Sequence, residues 1–106
     1  MSITQPNAEE FRPLIESTDK VIVKFYADWC GSCKLFAPVY SRLSNDERYT
    51  DITFLDVNAE TNPEARVLAG VDNLPFFATF NNGTLVEGMA TARKEAVEGM
   101  LNRLLQ

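Results

Sequence analysis

"YADWCGSCKLFAP", residues 26–38, contains the only tryptophan and the only two cysteines among 106 residues. It follows a short run rich in β-branched and aromatic residues, "VIVKFYA" (21–27), and leads into a helical stretch. A second run of the same kind, "ITFLDVN" (52–58), lies beyond that stretch. Both runs are too short for a core helix and read as buried strands. Strands joined through one long helix form a βαβ crossover, which pairs them parallel. The cysteines therefore fall where a strand gives way to a helix.

Further along, "FFATF" (76–80) and "LVEGM" (85–89) flank "NNGT", and Asn82-Gly83 supplies the positive φ angles of a tight hairpin. This half adds an antiparallel pair. Asn7 with Glu10 three residues later reads as a capping box. Asn62-Pro63 followed by "EARVLAG" has cap, first-turn proline and terminal glycine in order. Pro13 is expected to shorten or bend the first helix. Val97, Met100, Leu101 and Leu104 recur at the spacing of one helical face, which should pack on the sheet. The expectation is a single α/β domain over residues 1–106, its mixed sheet covered by helices on both faces.

Composition agrees with one core. The chain is 45% hydrophobic and 24% charged with five Gly and five Pro, which fits neither a disordered nor a proline-rich linker class. A net charge of −5, with no basic cluster longer than Arg93-Lys94, opposes binding to phosphate backbones or anionic lipid. Neither nucleic acid nor membrane is an expected partner, and no apolar run approaches a bilayer span. The opening "MSITQPNAEEF" lacks a basic, signal-type pattern, so a cytoplasmic location is expected. Two cysteines by themselves fit a reducing or an oxidising compartment.

Cys30-Gly31-Ser32-Cys33 admits four readings. A zinc site wants four Cys or His ligands, and the chain has no histidine. A purely structural disulfide over so small a loop removes little entropy from the unfolded chain. Two inert buried thiols are a third possibility. The fourth is redox chemistry, and its physics is specific. Residues i and i+3 share one side of a helix, so the sulfurs can meet and cycle between dithiol and disulfide. Cys30, at the helix start, faces unpaired N–H groups and the positive end of the dipole, which favour thiolate over thiol. An ordinary thiol of pKa about 8.5 is only ~3% ionised at pH 7, so this is what makes Cys30 the nucleophile. Cys33, one turn in, is expected to be more buried and to resolve the mixed disulfide that Cys30 makes with a substrate.

"FYADWCGSCKLFAP" resembles the active-site segment of the thioredoxin family, usually Trp-Cys-Gly-Pro-Cys-Lys. The likeness covers most of the chain. The strand at 21–27, the Cys helix with its internal Pro38, the Asn62-Pro63 helix, the Leu74-Pro75 step, the Asn82-Gly83 hairpin, Gly88 and the last helix fall in the family's order. The resemblance implies the thioredoxin fold and a cis peptide bond before Pro75. It implies a docking surface for clients at Trp29, Gly31, Ser32, Leu74, Pro75, Gly88 and Met89, with the backbone of Asn73 and Leu74 free to pair with an extended peptide.

Three departures from the family stand out. Ser32 replaces a proline, restoring an N–H and adding a hydroxyl near the Cys30 sulfur, which should make the couple less reducing; a plain helix-start serine is the simpler alternative. Lys24 stands where a buried Asp is usual, and Asp56 where a Lys is frequent. Strand alternation lets the two pair across neighbouring strands and, through water, handle the proton of Cys33; alternatively Lys24 merely reaches out to solvent. Phe76 follows Pro75 where Thr is common, and Glu87 precedes Gly88 where an apolar residue is usual. Both are expected to alter the rim, Glu87 by repelling acidic partners.

These readings imply a protein-disulfide reductase of thioredoxin type, acting through Cys30 and Cys33, with Lys24 and Asp56 in the acid-base role because histidine is absent. No bound cofactor is expected. The resemblance implies recharging by a thioredoxin reductase drawing on NADPH, or by another dithiol donor, and disulfide-containing proteins as clients, with a monomer as the expected state. Two alternatives remain: an oxidase or isomerase of more oxidising poise, and a binding or assembly subunit that uses the fold without the chemistry.

Overall fold

The computed structural model describes residues 3–106. In chain order the elements are β1 (Ile3–Thr4), α1 (Ala8–Glu16), β2 (Lys20–Tyr26), α2 (Gly31–Ser44), a 3-10 turn at Glu47–Tyr49, β3 (Thr53–Asn58), α3 (Pro63–Ala69), β4 (Phe76–Asn81), β5 (Thr84–Ala90) and α4 (Lys94–Leu105). The sheet order is β1-β3-β2-β4-β5. β1 and β2 both pair parallel with β3, whereas β4 runs antiparallel to β2 and to β5.

β2 lies at the centre, and Val21 through Phe25 are all buried. Its alternating side chains therefore serve two cores. Val21, Val23 and Phe25 face α1 and α3, where Phe11, Ile15, Ala65 and Ala69 close the layer. Ile22 faces α2 and α4 together with Phe54 and Phe77, under Phe36, Tyr40, Val97, Met100, Leu101 and Leu104. The apolar face predicted for the last helix is thus fully used.

Local signals act mostly as read. Asn7 Oδ1 accepts from Glu10 N and Glu10 Oε1 accepts from Asn7 N, each at 2.9 Å, closing the capping box. Asn82 (φ 51°) and Gly83 (φ 86°) turn the hairpin, and β5 carries one extra residue, Val86, opposite the Thr79/Phe80 step. Two expectations need correction. α1 is not cut short at Pro13 but runs through it to Glu16, because the carbonyl that proline leaves without a donor belongs to exposed Glu9 and can turn to water. Asn62 precedes α3 without capping it; its side chain is buried and donates to the Asn58 carbonyl at 2.9 Å.

Candidate active site

α2 begins immediately after Cys30, whose extended backbone makes it the N-cap residue. An N-cap side chain points at the unpaired amides of the first turn. Here that side chain is a sulfur, and Cys33 N donates to Cys30 Sγ at 3.2 Å. The amide and the positive end of the helix dipole both favour negative charge on that atom. Cys30 and Cys33, with Cα atoms 5.3 Å apart, are joined by a disulfide. Their burial differs less than the sequence implied, 5% against 3% exposed, because both cysteines cluster with Ala27, against which Tyr26 and Leu74 pack.

Ser32 is exposed on the first turn, and its Oγ lies 3.6 Å from Cys30 Sγ. The cap position belongs to Cys30, so Ser32 is not a capping serine; its hydroxyl is a neighbour of the sulfur instead.

The predicted docking residues are distributed unevenly. Trp29 is 69% exposed beside Cys30, and its Nε1 donates to Glu60 Oε2 at 2.7 Å. Gly31 and Asn73 are exposed, Leu74 is half-buried against the cysteines, and Pro75 is buried after a cis bond. The Leu74 amide is not free: it donates to Asn73 Oδ1 at 2.9 Å, so a docking strand would have to displace that side chain. Gly88 and Met89 leave opposite faces of β5. Gly88 sits over Phe76, which a Cβ at that position would meet at 2.9 Å, whereas Met89 packs with the α2/α4 core. The expected rim effects of Phe76 and Glu87 are not found. Phe76 is a core residue packed edge-on against Phe25, and Glu87 is neutralised by Arg103, whose Nε and NH2 donate to it at 2.8 and 3.1 Å.

β2 and β3 align Lys24 directly with Asp56. Lys24 Nζ lies 3.5 Å from Asp56 Oδ1, with side chains only 4% and 19% exposed. Lys24 therefore does not reach to solvent. The contact is long, and Asp56 Oδ1 has no hydrogen-bond partner. Burial pushes the Asp56 carboxyl above its ordinary pKa, and the Lys24 charge pulls it only part of the way back. Lys24, Asp56 and Cys33 share one cavity of about 210 Å³, whose wall also includes Gln5, Tyr26, Asp28 and Lys34. Such a space admits several waters between polar groups, so proton traffic between the pair and the deeper sulfur is geometrically open.

Glu60 and Tyr40, unremarked in the sequence, belong to this region. Glu60 lies 31 residues from Trp29 with no spacing pattern to announce it. Tyr40 follows Cys33 and Phe36 on a helical apolar face and reads as ordinary core. Among the described residues no group of three or more His, Cys, Asp or Glu side chains converges as a metal site.

A disulfide at an amide-rich helix tip, set at the end of the central strand of this mixed sheet, defines a dithiol-disulfide oxidoreductase. The sequence model described as Thioredoxin matches residues 2–103. Thioredoxin-1 of Schizosaccharomyces pombe is 33% identical over 95 residues, 90% of each chain. Two solved structures superpose closely: mitochondrial thioredoxin 3 from Saccharomyces cerevisiae in its oxidized form, at TM-score 0.85 with 31% identity over 95% of this chain and 94% of that one, and Plasmodium falciparum thioredoxin, at 0.83 with 30% identity over 97% and 98%. The chain belongs to the thioredoxin family. Its activity is reduction of protein disulfides by dithiol-disulfide exchange, and the redox group is its own cysteine pair. Members of this family act on disulfide clients and are recharged by reductases.

Proposed function

We propose that Cys30 is the attacking sulfur and Cys33 the resolving one. The Cys30 thiolate attacks one sulfur of a client disulfide, forming a mixed disulfide; the other client sulfur leaves as a thiolate and takes up a proton. Cys33 then loses its proton, attacks Cys30 Sγ and closes the Cys30–Cys33 disulfide, releasing the second client thiol. Two electrons pass to the client and the dithiol is spent. The observation that carries this assignment is the cap contact from Cys33 N to Cys30 Sγ, since a sulfur that accepts from the helix start is the one stabilised as an anion.

Asp56 takes the proton of Cys33 through cavity water, with Lys24 as its counter-charge; the shared cavity supports this role. Trp29, Gly31, Ser32, Asn73, Leu74 and Pro75 form the client contact, and Gly88 and Met89 shape the strand behind it. A thioredoxin reductase drawing on NADPH, or another dithiol donor, returns the disulfide to the dithiol. The protein works as a monomer in the cytoplasm, where a reducing glutathione poise suits a dithiol donor.

The test is mixed-disulfide trapping. Cys33→Ser should accumulate client joined to Cys30, while Cys30→Ser should trap nothing; the reverse pattern overturns the assignment. A more oxidising poise is favoured by the Ser32 contact with Cys30, and redox titration separates reductase from oxidase or isomerase.

A further inference from the structure

The Lys24 ammonium is enclosed in the middle of the central strand, and its charged contact is Asp56 Oδ1 at 3.5 Å. One long contact is poor solvation for a buried ion. Lys24 borders the cavity shared with Cys33, and two aromatic rings lie within reach of its ammonium: Nζ is 5.2 Å from the centroid of the Tyr40 ring and 5.9 Å from that of Tyr26. A cation within about 6 Å of a ring face is attracted by the ring quadrupole, more strongly when both are desolvated.

Tyr40 is itself held rigidly. It is fully buried, its hydroxyl donates to the Leu55 carbonyl at 2.7 Å, and the Ile22 carbonyl lies 3.2 Å away. Its ring packs against Phe54 and Phe77 at centroid distances of 5.3 and 5.7 Å. An α2 residue is thereby pinned to both strands that carry the pair, β2 with Lys24 and β3 with Asp56.

We propose that Tyr40, assisted by Tyr26, is a positioning residue for the proton exchange at Cys33: its ring holds the Lys24 ammonium against Asp56, leaving the carboxylate as the group that exchanges protons with cavity water. The inference rests on the relay proposed above. An ammonium already carrying its proton cannot accept another, so the acceptor in this arrangement is Asp56. The groups facing the pair are Tyr26 from β2, Asp28 from the following loop, and Cys33, Lys34 and Tyr40 from α2. Of the charges lining the cavity, that of Lys24 lies against the Asp56 carboxyl, so its placement sets the field there. With the ring gone, the flexible lysine stem is free to swing into the cavity, and the carboxylate loses its neighbour.

Two readouts separate this inference from the relay itself. Asp56 is titrated by side-chain carboxyl carbon NMR in the oxidised protein. Release of the second thiol from a coloured aromatic disulfide is then followed against pH by stopped flow, which reports the Cys33 step. Tyr40→Met and Tyr40→Leu remove the ring while keeping apolar bulk, and Tyr40→Phe keeps the ring without the hydroxyl. The ring-free variants should raise the Asp56 midpoint by about half a pH unit or more and move the release profile in the same direction, while Tyr40→Phe stays close to wild type in both. An unmoved Asp56 midpoint in the ring-free variants overturns the positioning role. So does Tyr40→Phe shifting as far as they do, because the hydroxyl and not the ring would then be responsible. A midpoint that moves without the release profile overturns the relay, and with it any part for Tyr40 in the reaction.

Discussion

Replacing Lys24 by Met removes the ammonium while keeping an unbranched apolar stem, and the consequence should depend on pH. Two unit charges at the observed 3.5 Å attract by about 1 kcal/mol in bulk water and about 5 kcal/mol at an effective dielectric constant near 20. The pair is enclosed but borders a cavity, so it lies between these limits. We expect a loss of about 2–3 kcal/mol at pH 7, somewhat less than the cost of breaking a dry buried pair, or a fall in melting temperature of roughly 8–12 °C. Asp56 is already raised by burial in the wild type, and losing Lys24 raises it further. A carboxyl with a raised folded-state pKa loses stability as pH climbs from its unfolded value, about 4, through its folded one. The cost of Lys24→Met should therefore grow between about pH 4 and pH 7. At lower pH Asp56 is protonated, Lys24 is the unpaired ion, and the substitution becomes neutral or stabilising. Urea unfolding of the oxidised proteins followed by circular dichroism at several pH values measures this directly. A penalty of equal size at all pH values would refute the coupling and leave Lys24 a packing residue.

Other substitutions test other parts of the site. Ser32→Pro removes a donor neighbouring Cys30 and should make the couple more reducing by about 30 mV, the equivalent of one charge-assisted hydrogen bond of about 1.4 kcal/mol; a glutathione redox titration showing an unchanged or more oxidising potential refutes the role given to the serine. Glu60→Ala frees the Trp29 indole from its 2.7 Å bond; Trp29 fluorescence anisotropy should fall, while stability changes by less than about 1 kcal/mol because both groups are exposed. Gly88→Ala forces a Cβ against the Phe76 ring, with the Ala69 carbonyl only 3.3 Å away, and should cost about 1–3 kcal/mol in denaturant melts. Asn7→Ala opens the capping box of α1 and should cost about 1 kcal/mol with client reduction unchanged.

The parts of this structure that were legible in the sequence are those written in local signals. The strands show as short β-branched runs, the hairpin as Asn82-Gly83, the crossover as the helix between two buried strands, and the cysteine chemistry as a three-residue spacing at a helix start. Even the pairing of Lys24 with Asp56 follows from strand alternation, because parallel register keeps like faces together. What sequence reading missed depends on where side chains go once the chain has folded. Asn62 looks like a cap until the Asn58 carbonyl, one turn back in the chain, claims its side chain. Glu87 looks like an exposed repulsive charge until Arg103, on a different element, neutralises it. Tyr40 reads as core because it is core; that its ring also faces a buried cation appears only when α2 lies across β2 and β3.

The Lys24–Asp56 pair constrains how the signs of its two charges could ever be exchanged. Starting from lysine on β2 and aspartate on β3, changing position 24 alone to aspartate sets two carboxylates face to face in an enclosed site. Changing position 56 alone to lysine sets two ammonium groups there. Either single step is electrostatically worse than both endpoints, so the two strands can exchange signs only in concert or by way of an uncharged residue.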